Sequence, residues 1–149
     1  MITEKVNLRD EALPNGFMPT ITTYVLEPVS SLRPAVVVFP GGGYAFCSPR
    51  EAERIAIRYN SAGFNTFVVD YSVSPNRHPE PIRDAAAAVR FVRENAEKYN
   101  VNPNQIAVIG FSAGGHLAAS ISTLWNDDTI FSAEEIQSEK HKPNASILA

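Results

Sequence analysis

A serine between two glycines is the residue of this chain best suited to covalent chemistry. Ser112 lies in the stretch GFSAG, residues 110–114, which fits the pattern G-x-S-x-G. An apolar run ends at Phe111 and a helix-like pattern begins at Ala113, which is the strand–turn–helix setting of a nucleophile elbow. The two glycines are needed there because side chains in their place would collide with neighbouring backbone. The pattern predicts that Ser112 is a nucleophile, with an ordinary N-cap serine as the alternative.

A second glycine-rich stretch, PGGGY at residues 40–44, follows another buried strand. Consecutive glycines let the backbone turn its N–H groups towards a ligand, and parallel sheets bind ligands at the carboxyl ends of their strands. We interpret this loop as the second half of an oxyanion hole. A dinucleotide cradle is one alternative, since Asp70 ends the next strand, and a plain tight turn is the other. The spacing G-x-G-x-x-G fails at Phe46, and the helix starts at Ser48, too late to place its dipole on a pyrophosphate beside Gly43.

A serine nucleophile needs a base and an acid, and the aspartates after it have the wrong spacing. Asp127 and Asp128 follow Ser112, and His141 follows them, so the chain order Ser, Asp, His is right. However, only one strand can form between Ser112 and the last residue, whereas two triad partners should lie on loops after different strands. We therefore expect these three residues to stay outside a triad.

The two other histidines and the single cysteine are also weak candidates for catalysis. His116 is four residues after Ser112 and shares its helix face, but it would have to fold back over the backbone to reach the hydroxyl. We expect His116 to pack or to hold a neighbouring side chain, and His78 to be a loop residue. Cys47 has no histidine placed to activate it, so we interpret it as a small buried side chain.

Strands and amphipathic helices that alternate along the chain must position these residues. Apolar or β-rich runs predict strands at 19–28, 35–40, 65–71 and 105–111, and one-sided apolar patterns predict helices at 48–63, 82–99 and 113–125. The first helix is expected to begin at Ser48, where a proline follows and Glu51 completes a capping box. Repeated strand–helix units form a parallel sheet covered on both faces, with the strand at 19–28 near an edge.

The last residues of the chain predict an incomplete element. Residues 126–143 are polar and irregular, with one helical turn expected at 132–137, and NASILA at 144–149 resembles the start of another buried strand. A buried parallel strand seldom stops two or three residues after it begins. We therefore expect the chain to be the N-terminal part of a longer domain.

Three stretches in this order resemble a known family. They are PGGGY, then VVDY with a proline-rich loop and a long helix, then IGFSAGGHLA. Together they are similar to α/β-hydrolase-fold carboxylesterases of the acetylxylan-esterase-like and feruloyl-esterase-like group, from about residue 20 to the last residue. The resemblance implies a three-layer α/β-hydrolase fold with a mostly parallel sheet, truncated after the elbow helix and the start of the next strand. Residues 1–149 would then be the N-terminal part of a single α/β-hydrolase domain.

The resemblance also implies roles for individual residues. Ser112 would be the nucleophile, and the amide of Ala113 with those of Gly42 and Gly43 would form the oxyanion hole. The family places its catalytic aspartate and histidine after later strands, so both are expected to be absent from this chain. Relatives usually carry arginine after the Asp-Tyr pair, where this chain has Ser72, so the local ion pairing is expected to differ.

The function that the resemblance implies is a serine carboxylic-ester hydrolase that deacetylates or deacylates a sugar or polysaccharide ester. A serine peptidase of the same fold is one alternative, because the elbow chemistry is shared. A non-catalytic or nucleotide-binding α/β domain is the alternative from another class. The expected partners are a small ester or acylated sugar and the remainder of the same polypeptide or a second fragment, and a homo-oligomer stays open.

Composition excludes several other kinds of protein. The formal net charge of −3, without a dense basic cluster, argues against nucleic acid or an anionic membrane as a partner. The lone Cys47 excludes an internal disulfide and a multi-cysteine metal site, and we predict neither a metal nor a cofactor. The first residues lack the apolar segment of a signal peptide, and no run of about 18 apolar residues occurs, so a cytoplasmic location is expected.

Overall fold

A computed structural model describes all residues of the chain, from Met1 to Ala149. The strands are Lys5–Asn7 (β1), Thr20–Tyr24 (β2), Arg33–Phe39 (β3), Asn65–Asp70 (β4), Val101–Gly110 (β5) and Ala145–Leu148 (β6). The helices are Glu53–Ser61 (α1), Glu80–Glu94 (α2), Ala113–Leu124 (α3) and Ala133–Ser138 (α4), and a 3-10 turn, Pro49–Glu51, precedes α1.

The six strands form one sheet in the order β1-β2-β4-β3-β5-β6. Strands β4, β3, β5 and β6 pair in parallel, whereas β1 and β2 add an antiparallel edge. The mostly parallel α/β fold is therefore confirmed. β2 is second from the edge, because β1, a three-residue strand that the sequence did not predict, lies outside it.

Helices cover the two faces of the sheet unequally. Val36 and Val38 of β3 face one side, where they pack with Ala56 of α1. Val37 and Phe39 alternate to the other side and join the larger core beneath α2 and α3. The near-continuous apolar sequence of β3 is explained by this burial on both faces.

The last strand, β6, continues the sheet beside β5. Its four residues are exposed, with Ile147 at 41% and Leu148 at 59% of full exposure. At its end, Ala149 donates to the carbonyl of Gly110 over 3.0 Å, and its own carbonyl oxygen accepts the N–H of Ser112 at 3.0 Å. The predicted strand is confirmed and contacts the turn that carries the serine, whereas its predicted burial is not found in this structure.

Two predictions about helix starts had opposite outcomes. Ser132 and Glu135 form a capping box at the start of α4, so the predicted helical turn is confirmed. The capping box predicted at Ser48 is wrong, because the Ser48 side chain makes no capping hydrogen bond. The carboxylate of Glu51 accepts the N–H of Gly41 at 2.6 Å instead. None of the helices has the length and apolar character needed to cross a membrane.

Candidate active site

Ser112 occupies the sharp turn between β5 and α3. Its backbone has φ +52° and ψ −116°, a conformation that a residue with a side chain rarely adopts. Such a conformation costs about 1–3 kcal/mol and persists only where the surroundings enforce it. The exposed Ser112 side chain makes no capping hydrogen bond, so the alternative of an ordinary N-cap serine is not supported. The backbone has the geometry that a nucleophile elbow requires.

The glycines on both sides of Ser112 are required by close backbone packing. A Cβ added at Gly110 would overlap the carbonyl oxygen of Gly114, and one added at Gly114 would overlap that of Phe39. The collision predicted from the sequence is therefore confirmed. These contacts press the first turn of α3 against the ends of β5 and β3.

Three backbone amides near the turn have no acceptor within the chain. The N–H of Ala113 is the first of α3, and neither it nor those of Gly42 and Gly43 take part in a hydrogen bond. In contrast, the N–H of Gly41 already binds Glu51. Gly42 has φ +141° and packs so closely on the carbonyl of Phe46 that a side chain would not fit. The loop can therefore present the amides of Gly42 and Gly43 to an anion.

Direct contacts hold the glycine loop beside the serine turn. The N–H of Phe111 donates to the carbonyl of Phe39 over 3.2 Å, which joins the ends of β5 and β3. A Cβ added at Gly41 would lie 2.6 Å from the carbonyl oxygen of Phe111. The hydroxyl of the fully buried Tyr71 donates to the carbonyl of Pro40, and burial raises the pKa of that phenol far above its usual range. The predicted halves of an oxyanion hole are thus neighbours in space.

None of the three histidines of the chain contacts the Ser112 hydroxyl. His116 is exposed, and its Nδ1 lies 2.8 Å from the hydroxyl oxygen of Tyr44. His141 is buried, with Nε2 2.7 Å from the carbonyl oxygen of Trp125. His78 is exposed in the loop before α2. His116 and His141 thus bond to other groups, and the prediction that no histidine of the chain serves Ser112 stays a prediction.

The acids after Ser112 and the single thiol also stand apart from it. Asp127 accepts from the side chain and the N–H of Thr129, and these hydrogen bonds lower the pKa of Asp127. Asp128 is exposed. Cys47 is half-buried, and burial raises the pKa of its thiol to about 12, so it is not a thiolate at neutral pH. No group of three or more metal-ligating His, Cys, Asp or Glu side chains lies together.

A buried carboxylate on α2 is the main feature that the sequence analysis did not identify. Asp84 of α2 is fully buried; its Oδ2 accepts the N–H of Ser72 at 2.8 Å and also the Ser72 hydroxyl. Its Oδ1 accepts from Nε and Nη2 of Arg9 at 2.9 and 2.7 Å. Burial raises the pKa of Asp84, against the opposing effect of these donors. In this chain the guanidinium that pairs with Asp84 comes from Arg9 of the N-terminal segment, while position 72 is a serine. An aspartate among the alanines of α2 was the available signal.

A cavity of about 340 Å³ lies between Tyr44, the loop before α2, the first turn of α2, and α3. Tyr44, directly after the glycines, and His116, one turn after the serine, line it on one side. Ile82 and Leu117 supply apolar wall, and Arg77 and His78 add polar groups from the loop before α2. The cavity is large enough for part of a small substrate, and Ser112 and the glycines of the loop are not among the residues that line it.

Comparison with known proteins relates this geometry to a family. The family model BD-FAE matches residues 23–149. The chain is 37% identical over 116 residues to an endo-1,4-beta-xylanase B from Butyrivibrio fibrisolvens, covering 75% of this chain and 18% of that protein. It is 40% identical over 91 residues to an acetylxylan esterase from Xylanibacter ruminicola, covering 60% of this chain and 19% of that protein.

Solved structures show the same likeness in three dimensions. An alpha/beta hydrolase enzyme, MGS-M1, from a Medee basin deep-sea metagenome library superimposes with a TM-score of 0.79 at 39% identity, covering 99% of this chain and 56% of that one. An acetyl ester-xyloside bifunctional hydrolase from Caldicellulosiruptor lactoaceticus gives a TM-score of 0.84 at 35% identity, covering 97% and 56%. The chain thus spans about half the length of these structures and less than a fifth of the two curated relatives.

Proposed function

The chain belongs to the BD-FAE family of α/β hydrolases, and on that premise we propose that it carries the nucleophile and the oxyanion hole of a serine carboxylic-ester hydrolase. The observation that carries the proposal is the strained turn at Ser112, which stands beside unbonded amides of Ala113, Gly42 and Gly43. A strained serine at the start of a helix serves no capping purpose here, whereas it suits attack on a carbonyl carbon.

The proposed reaction begins with attack of the Ser112 hydroxyl oxygen on the ester carbonyl. The tetrahedral oxyanion accepts hydrogen bonds from the amides of Ala113, Gly42 and Gly43, aided by the positive end of the α3 dipole. The alcohol then leaves with a proton, and water releases the acid from the acyl-enzyme. We place the base that moves these protons, and the acid that orients it, outside residues 1–149, in the remainder of the polypeptide or in a second fragment. The support is that none of the three histidines contacts Ser112.

For the substrate we propose a short acyl ester on a sugar or polysaccharide. Support comes from two of the similar proteins, which are described as an acetylxylan esterase and an acetyl ester-xyloside bifunctional hydrolase. The cavity beside Tyr44 and His116 offers both hydrogen-bonding groups and apolar wall, as an acylated sugar requires. No metal or cofactor takes part in the proposed reaction.

Labelling with a fluorophosphonate probe tests the nucleophile. In the full-length protein we expect the probe to modify Ser112, and Ser112→Ala to abolish both labelling and hydrolysis of 4-nitrophenyl acetate. Ser122→Ala is the matched control. Ser122 lies on the same helix, α3, and its hydroxyl donates a hydrogen bond to the carbonyl of Ala118 at 2.7 Å. Absence of labelling in the full-length protein would overturn the proposal, and cleavage of peptide anilides in place of esters would favour a peptidase.

A further inference from the structure

One peptide group in the glycine loop has both of its polar atoms held by side chains. The carbonyl of Pro40 accepts the hydroxyl of Tyr71, and the N–H of Gly41, which belongs to the same peptide, donates to Oε2 of Glu51 at 2.6 Å. Tyr71 is fully buried, and Glu51 is half-buried. Two side chains from different parts of the chain therefore fix the plane of a single peptide.

This peptide directly precedes the two amides of the proposed oxyanion hole. Gly41, whose N–H belongs to this peptide, packs against the carbonyl of Phe111, at the start of the serine turn. A rotation of the Pro40–Gly41 peptide would therefore move Gly42 and Gly43 relative to Ser112. Oxyanion donors act only when they stand in place before charge develops, and an error of about 1 Å can cost roughly a hundredfold in rate.

The hydrogen bonds that Glu51 and Tyr71 make are strong enough to hold the Pro40–Gly41 peptide in one orientation. A carboxylate that accepts an N–H makes a charge-assisted hydrogen bond, about twice as strong as a neutral one. The phenol of Tyr71 is buried, so breaking its bond to Pro40 would leave a polar group without a partner. Glu51 is free for this contact because the 3-10 turn before α1 makes no capping box.

We propose that Glu51 and Tyr71 are positioning residues for the oxyanion hole. Neither residue touches the ester; each acts through the Pro40–Gly41 peptide and so sets where the amides of Gly42 and Gly43 point. This inference rests on the proposed function, since it assigns a role in the same reaction. A positioning role differs from an ordinary structural role in its effect. Replacing Glu51 or Tyr71 should change the rate of the chemical step more than it changes substrate affinity or folding stability.

The test uses the full-length protein with Tyr71→Phe, Glu51→Ala and the double variant. With 4-nitrophenyl acetate as substrate, we expect each single variant to lower kcat about tenfold and to leave KM within about twofold. The double variant should lose less than the product of the two single losses, because either change already releases the peptide. Glu51→Gln keeps an oxygen acceptor and should recover most of the lost rate.

Matched controls separate positioning from a general loss of stability. Tyr59→Phe and Glu53→Ala change the same residue types on or beside α1, away from the glycine loop, and should leave kcat unchanged. Thermal unfolding of every variant establishes that the protein is folded at the assay temperature. A boronic acid that mimics the tetrahedral intermediate should bind the two variants about tenfold more weakly, in proportion to their loss of kcat/KM.

Each result decides between the role and its alternatives. Variants that keep kcat within about twofold, or that lose activity only as far as they unfold, would show that Glu51 and Tyr71 are merely structural. The assignment would also be overturned if Tyr59→Phe lost as much kcat and boronate affinity as Tyr71→Phe. If the unaltered protein shows no Ser112-dependent labelling or hydrolysis, the proposed function fails and the positioning role fails with it.

Discussion

Replacing Ser112 by glycine should stabilise the protein while it removes the proposed nucleophile. The backbone there has φ +52° and ψ −116°, a region that glycine adopts without strain and in which other residues are strained. The hydroxyl makes no capping hydrogen bond, so its removal forfeits no interaction within the chain. The stability change therefore reports on the backbone alone.

The size of the effect follows from two opposing contributions. Strain at such a position costs about 1–3 kcal/mol with a side chain present, and glycine removes most of it. Glycine also lowers the free energy of unfolding by about 0.5–1 kcal/mol, because the unfolded chain has more conformational entropy at a glycine. We expect Ser112→Gly to raise the free energy of unfolding by about 1 kcal/mol relative to Ser112→Ala. For a protein of about 150–250 residues this corresponds to roughly 2–4 °C in Tm.

The assay is urea and thermal unfolding of full-length Ser112→Gly, Ser112→Ala and the unaltered protein. Both variants should fail to react with a fluorophosphonate, so only stability distinguishes them. Ser122→Gly is the control within the same helix, where glycine should destabilise by about 1 kcal/mol. If Ser112→Gly is no more stable than Ser112→Ala, the elbow stores no strain and the reasoning is refuted.

Three further changes probe the surroundings of the site. Gly114→Ala should abolish fluorophosphonate labelling and lower stability by about 3 kcal/mol or more, because a Cβ there overlaps the carbonyl of Phe39; unchanged labelling would contradict the packing described. Burial raises the pKa of Cys47 to about 12 from a usual value near 9.0, so this thiol contributes stability that is complete below pH 9 and is lost as the pH rises towards 12. Urea unfolding across that range should show a steeper loss in the unaltered protein than in Cys47→Ala; parallel curves would argue against the shift. Arg9→Gln should cost about 2–4 kcal/mol, since it leaves the buried Asp84 without its cation, and Ser72→Arg in that background should restore part of the loss in the same assay.

Local patterns in the sequence predicted most elements of the fold. β3, β4 and the second half of β5 follow from near-continuous apolar runs, which occur where strands are buried on both faces, whereas the polar first half of β5 was not predicted as strand. The serine turn follows from two glycines at the junction of a strand and a helix, a steric requirement that can be read within five residues. β1 was missed because three residues with a polar first and last position carry no clear strand pattern.

The errors and omissions concern contacts between distant segments. Glu51 fits a local capping box, and only the folded chain shows that its carboxylate meets the amide of Gly41. Arg9 and Asp84 lie 75 positions apart, so no spacing rule could pair them. The residues that set the shape of the candidate site belong to this group, which is why sequence patterns point to the proposed nucleophile more readily than to the residues that support it.

The strained turn at Ser112 is held from several sides at once. Gly110 and Gly114 allow α3 to press on the ends of β5 and β3, and Phe111 is hydrogen-bonded to β3. Beyond β6, the carbonyl of Ala149 accepts the N–H of Ser112 itself. A conformation that costs about 1–3 kcal/mol survives because several contacts would have to break together for it to relax. Weakening several of them together should therefore reduce the reactivity of the serine before it unfolds the sheet, since the same contacts that hold the strain also orient the hydroxyl.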